Sequence, residues 1–119
     1  MKITLNNIDF RYELDGPEGA PWIIFSNSLT TDVTMWDTEV AQLADRYRIL
    51  RYDTRGHGQT SAPEGPYSFE LLVGDVIALM DAVGADCAHY VGLSLGGMTG
   101  LGMAIEHGDR LLSLAACDA

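Results

Sequence analysis

Gly92-Leu93-Ser94-Leu95-Gly96 sets a serine between two glycines, each two residues away, directly after the apolar, β-prone run Cys87-Ala88-His89-Tyr90-Val91. This is the spacing of a nucleophile elbow, in which a serine hydroxyl projects from a sharp strand-to-helix turn. Such a turn strains the serine backbone, and the positions two residues to either side must lack bulk. Gly92 and Gly96 supply that clearance, and Gly97 lets the following helix, expected over Met98 to Glu106, pack close to the sheet. That helix aims its free N–H groups and the positive end of its dipole at the reacting centre. The competing reading is an ordinary glycine-rich turn. The strand before the motif and the glycine-punctuated helix after it favour the elbow, and with it covalent catalysis on Ser94.

The elements that must position this serine follow from periodicity. Residues 2–6 and 8–14 alternate apolar and polar about Asn6-Asn7 and predict an antiparallel hairpin with one wet face. Trp22-Ile23-Ile24-Phe25 is a continuous apolar run, the pattern of a strand buried on both faces. A polar loop, Ser26 to Thr31, follows, and then Asp32 or Thr34 is placed to cap a helix bearing Trp36, Val40, Leu43 and Ala44. Tyr47 to Tyr52 reads as the next strand, and Asp53 to Thr60 as a glycine-broken loop. Ser68 caps a second amphipathic helix that Gly84 closes. The elbow strand, the elbow helix to His107-Gly108 and a last strand, Leu111 to Cys117, complete the chain.

Strands alternating with helices imply parallel pairing through right-handed crossovers. The expected class is therefore α/β: a three-layer sandwich on a mostly parallel sheet, with the hairpin antiparallel at one edge. The site then lies at the carboxyl ends of the parallel strands, where loops Ser26–Thr31, Asp53–Thr60 and the elbow converge.

With 119 residues the chain is expected to form a single domain. A net charge of −10, with only seven basic residues and no basic cluster, argues against nucleic acid and anionic membranes as partners. No run reaches transmembrane length, and the start Met-Lys-Ile-Thr-Leu-Asn lacks a signal-peptide core, so a cytoplasmic protein is expected. Cys87 and Cys117 should fall near opposite ends of neighbouring parallel strands, too far apart for a disulfide at ~3.3 Å of rise per residue. Both are read as small buried hydrophobes in a reducing compartment. No His, Cys, Asp and Glu spacing suits a metal, and no cofactor is expected.

Three stretches together resemble the α/β-hydrolase superfamily: Phe25-Ser26-Asn27-Ser28-Leu29 with Met35-Trp36, Tyr52-Asp53-Thr54-Arg55-Gly56-His57-Gly58, and Val91 to Gly97. Within it, the Ser-Asn-Ser-Leu loop is similar to that of 3-oxoadipate enol-lactonases. The resemblance implies Ser94 as nucleophile and the backbone N–H groups of Leu29 and Leu95 as the oxyanion hole. One such donor is worth ~3 kcal/mol or more in the transition state. It also implies a longer chain. Family members continue past the strand ending at Cys117 with a cap, further strands, an acid-bearing loop and a histidine loop. Residues 1–119 thus read as a partial domain without the family's general base, and a serine without a base is a poor nucleophile at neutral pH.

The histidines present are weighed against that gap. His57 follows a parallel strand on the catalytic edge and is a substitute base, or else the solvent-facing variable residue of an Arg-Gly-x-Gly turn. His89 reads as a packed strand residue, and His107 as a cation complementing the end of the elbow helix. Asp118, directly after the last strand, stands where some superfamily members carry the triad acid; otherwise it is a solvated terminal carboxylate. Asp53 and Arg55 read as a loop-bracing pair, and Asp75 and Asp81 as the wet face of the second helix.

Two functions are consistent with this pattern. One is a serine hydrolase of small carboxylic esters or lactones, working through an acyl-enzyme on Ser94, slow and promiscuous. The other is a catalytically incomplete fragment that self-associates or needs a C-terminal half. Leu111 to Cys117 carries no proline, lysine or glutamate to blunt it as an edge strand, so a homo-oligomer through that edge is expected.

Overall fold

Asn6 and Asn7 both hold positive φ, 52° and 64°, which a tight hairpin turn demands and asparagine tolerates better than most side chains. They join β1 (Lys2–Leu5) to β2 (Ile8–Asp15) antiparallel, with Leu5 opposite Ile8. The structure, a computed structural model, describes all residues 1–119.

β3 (Trp22–Ser26), β4 (Arg48–Tyr52), β5 (Ala88–Leu93) and β6 (Leu111–Cys117) are parallel, and β2 joins them antiparallel to β4. The order across the six-stranded sheet is β1-β2-β4-β3-β5-β6. The chain leaves β3 for β4 on one side, then crosses to β5 on the other. The carboxyl ends of β3 and β5 are therefore a topological switch point, where a crevice opens in sheets of this kind. The loop after β3 and the elbow after β5 meet there.

Alternation along the strands sorts the core into two faces. Ile24, Leu50 and Tyr90 point to one side and pack with Val73, Val76, Leu79 and Met80 of α2 (Phe69–Val83) and Met103 of α3 (Leu95–His107). Ile23, Phe25 and Ile49 point to the other, against Trp36 and Val40 of the segment that carries α1 (Asp37–Leu43). The rings of Phe25 and Trp36 stack at 4.7 Å between centroids. Helices thus cover both faces, giving the three layers expected.

Caps fall where the sequence placed them. Asp32 accepts from the Thr34 N–H and opens a 3-10 turn, Val33–Trp36, that leads into α1. Ser68 Oγ accepts from the Leu71 N–H at the start of α2, and Gly84, at φ 83°, ends it. The elbow helix starts earlier than Met98, however: helical geometry begins at Leu95, directly after the serine.

Three side-chain expectations need correction. Asp75 is not on a wet face; it is 3% exposed and holds the Arg55 guanidinium through two hydrogen bonds of 2.7 Å. Asp53 and Arg55 both brace the loops, but not as a pair, because Asp53 bonds Arg11 and the Val33 and Gln59 amides instead. The cysteines are unpaired, as expected, yet Cys87, just before β5, is only half-buried, and Cys117, at the end of the edge strand β6, is exposed. Asp81 is exposed and pairs with Arg110 at 2.8 Å.

Candidate active site

Ser94 links β5 to α3 with φ 53° and ψ −110°, a conformation that costs a residue bearing a Cβ on the order of 1–3 kcal/mol. The surrounding contacts over-determine it. The Ser94 N–H donates to the Cys117 carbonyl at 2.8 Å, and the Ser94 carbonyl accepts the first helical bond, from Met98, at 2.9 Å. A Cβ on Gly92 would sit 2.4 Å from the Gly96 backbone, and one on Gly96 would sit 2.2 Å from the Ser26 carbonyl oxygen. Both glycines of the motif are therefore required by packing, as the spacing predicts.

Around the serine, two backbone donors are free. Leu29 takes part in no backbone hydrogen bond through its N–H, and Leu95, as the first residue of α3, has no intrahelical acceptor for its own. The two residues line one cavity of about 210 Å³ together with His57, Tyr67, Phe69 and Leu72. A larger, open groove of about 620 Å³ lies on the other side of His57, walled by Thr30, Thr31, Asp32 and Thr34. Leu29 and Leu95 both line the smaller cavity and neither lines the larger groove; Ser94 lines neither space.

His57 is half-buried between the two spaces, and its Nδ1 lies 3.1 Å from the Arg55 carbonyl oxygen. That contact suits an Nδ1–H donor and leaves Nε2 as the acceptor. No hydrogen bond joins it to Ser94. His89 bonds Ser113 Oγ at 2.7 Å from mid-strand, and His107 ends α3, so neither reaches the elbow. Asp118 is exposed beyond β6, at φ 49°, with no partner of its own. The tip of β6 nevertheless lies against the elbow through the Ser94–Cys117 bond.

Beneath the elbow is a buried polar layer that motif reading does not reveal. Ser26 Oγ and the Tyr52 hydroxyl are 2.8 Å apart, and the Tyr90 hydroxyl donates to the Gly96 carbonyl at 3.0 Å. Burial pushes the Tyr52 phenol up to about 12, and burial together with the neighbouring Tyr52 raises Tyr90 well above its ordinary value. Both phenols stay neutral and do not act as bases; Tyr90 braces the elbow as the donor to Gly96, and Tyr52 pairs with Ser26 beside it. The only hint in the sequence is that both are tyrosines inside strands, where packing alone would explain them. No three His, Cys, Asp or Glu side chains gather to hold a metal.

The sequence model of the family described as alpha/beta hydrolase fold matches residues 21–119, and the chain belongs to that family. It is 42% identical over 108 residues to 3-oxoadipate enol-lactonase 2 of Acinetobacter baylyi, covering 91% of this chain and 40% of the relative. The enol-lactonase of Burkholderia xenovorans superimposes with a TM-score of 0.90 at 48% identity, over 93% of this chain and 44% of that one. A fluoroacetate dehalogenase from a Burkholderia species is 35% identical over 104 residues, covering 83% of this chain and 34% of the relative. The chain thus spans less than half the length of each of these relatives.

Proposed function

We propose that Ser94 is the nucleophile of a hydrolase acting on small carboxylic esters or lactones. The observation that carries this is the strained Ser94 turn together with two residues whose amides have no backbone acceptor, Leu29 and Leu95, and which line one small cavity. The Ser94 hydroxyl attacks the carbonyl carbon and gives up its proton; the carbonyl oxygen, now an anion, accepts from the two amides. The tetrahedral intermediate collapses, expelling the alcohol with a proton and leaving an acyl group on Ser94. Water then repeats the attack and releases the acid. Similarity to enol-lactonases favours an ester or lactone over other substrates. The volume of the cavity, about 210 Å³, favours a small acyl group.

The proton acceptor divides this reading. His57 is the one imidazole that lines the cavity, and its Nε2 is free, so among these residues it is the candidate base. Asp118 is the candidate acid by position alone. The test is hydrolysis of p-nitrophenyl acetate by the wild type, Ser94→Ala and His57→Ala, with mapping of a fluorophosphonate adduct. We expect the adduct on Ser94 and no turnover above background in Ser94→Ala. An adduct elsewhere, with Ser94 untouched, sinks the assignment. A large loss in His57→Ala identifies the base; unchanged turnover excludes His57 from that role.

A second reading rests on β6, which pairs with β5 alone. Met98, Leu101 and Ile105, at helical spacing along α3, are also exposed to solvent. This surface supports self-association, or docking of further polypeptide, as part of how the site is completed. The two unpaired cysteines fit a reducing, cytoplasmic setting.

A further inference from the structure

We infer that Asn27 is the positioning residue that registers the two amides against each other; the inference rests on the proposal that Leu29 and Leu95 receive the oxyanion. Asn27 is 1% exposed and joins three separate segments. Its Nδ2 donates to the Tyr52 carbonyl at the end of β4, at 2.9 Å. Its Oδ1 accepts from the Trp36 indole N–H, at 2.8 Å. Its backbone carbonyl accepts from the Gly96 N–H, at 3.1 Å.

Each bond has a consequence for the donors. The bond to Trp36 closes the loop of residues 28–35 at its base, and Leu29 lies inside that loop. Within it, Ser28 and Thr31 bond each other and the Met35 sulfur, so the loop has little freedom once the base is closed. The bond to Tyr52 fixes the same base to the sheet. The bond from Gly96 satisfies one of the amides at the start of α3, while Leu95, the first residue of the helix, keeps an N–H without an intrahelical acceptor and lines the cavity. Leu29 and Leu95 are thus two residues and one residue, respectively, from opposite ends of a single hydrogen bond. Gly96 must be glycine for that bond to form, because a Cβ there would lie 2.9 Å from the Asn27 carbonyl oxygen as well as against Ser26.

An aspartate at position 27 would lack the donor for Tyr52, and a serine would not span both partners. Asparagine supplies a donor and an acceptor from one rigid plane. The geometry therefore assigns the side chain to the spacing of the two amides and not to substrate, which it does not reach from its buried position.

The test has two arms, one of which needs no activity. Amide and indole hydrogen exchange, followed by 1H–15N NMR, should show the Trp36 indole and Gly96 amide exchanging at least ten-fold faster in Asn27→Ala, with the β1–β2 amides unchanged. Trp36→Phe removes one bond from the other partner and should accelerate Gly96 in the same direction by less; it serves if Asn27→Ala does not fold. Turnover of p-nitrophenyl acetate should split: kcat down at least ten-fold in Asn27→Ala, KM within two-fold. Gly96 exchange unchanged in either folded variant overturns the proposal, and so does a loss confined to KM. If the wild type shows no turnover that depends on Ser94, the reading of Ser94 falls, and the exchange arm still decides whether Asn27 registers the loop against the elbow.

Discussion

Arg55 Nε and Nη2 reach the two oxygens of Asp75 at 2.7 Å each, an ion pair closed off from water between the loop after β4 and α2. The Asp75 carboxylate raises the guanidinium above its usual range, and the Arg55 side chain also lies over the Tyr67 ring, 5.7 Å from its centroid. The pair anchors one wall of the cavity shared by Leu29 and Leu95. Removing one partner leaves the other charge buried alone.

Asp75→Asn should therefore destabilise the protein by ~3–5 kcal/mol, the usual cost of breaking a buried pair. Replacing both, as Arg55→Met with Asp75→Leu, should recover most of that loss. Urea denaturation of the single and double variants measures it. A cost of less than about 1 kcal/mol for the single variant, the size of an exposed pair, would show that water reaches the site.

Little of this pair was legible beforehand, although the elements were. Leu71, Leu72, Val76 and Met80 announce α2 by spacing, and a carboxylate among them is normally read as solvent-facing. Asp75 is buried because the loop after β4 folds Arg55 onto that helix, a contact across 20 residues that no local pattern encodes. Asn27 was hidden for the same reason: its role exists only once β4, Trp36 and the elbow are assembled. Ser94, Gly92 and Gly96 were readable because their requirement is local, a tight turn with no room for a Cβ. Cys117 reads as buried from the sequence even though β6 is expected at an edge, because an apolar run marks a strand without saying which of its side chains face solvent.

The strain at Ser94 predicts a gain in stability when the side chain is removed altogether. Glycine adopts φ 53°, ψ −110° freely, so Ser94→Gly should be more stable than Ser94→Ala, by ~1 kcal/mol after glycine's own entropy cost. Thermal midpoints of the two inactive variants check this. Equal midpoints would mean that the turn is relaxed and that the serine stores no strain.

Alkaline pH should weaken the fold through Tyr52. Its phenol has an ordinary value of 10.0 when unfolded and about 12 when buried, with burial as the main cause. The folded state therefore holds its proton more tightly. The associated stability is complete below pH 10 and is lost as pH rises toward 12, on the order of 2–3 kcal/mol in all. Tyr90, raised in the same direction, steepens the loss. Urea midpoints at pH 8, 10 and 11.5 should fall more steeply for the wild type than for Tyr52→Phe. Parallel slopes would remove Tyr52 from the account.

Self-association is the last expectation, and it follows from what β6 leaves open. Hydrogen bonds to β5 use one edge of Leu111–Cys117, and the other edge presents unpaired N–H and C=O groups to water. Leu112 is 55% exposed at the bulge where the β5–β6 register shifts, and Ile105 on α3 is 85% exposed. Two copies related by a two-fold axis can pair these edges antiparallel, extending one sheet across both chains while covering both leucines and isoleucines. The net charge of −10 opposes this, so association should strengthen with salt, opposite to a contact held by ion pairs. Light scattering at micromolar concentration should give a mass above 12.9 kDa, rising with salt. Leu112→Lys with Ile105→Lys should return it to the monomer value without unfolding the chain. A monodisperse wild type of 12.9 kDa in high salt would leave the β6 edge without a partner of its own kind.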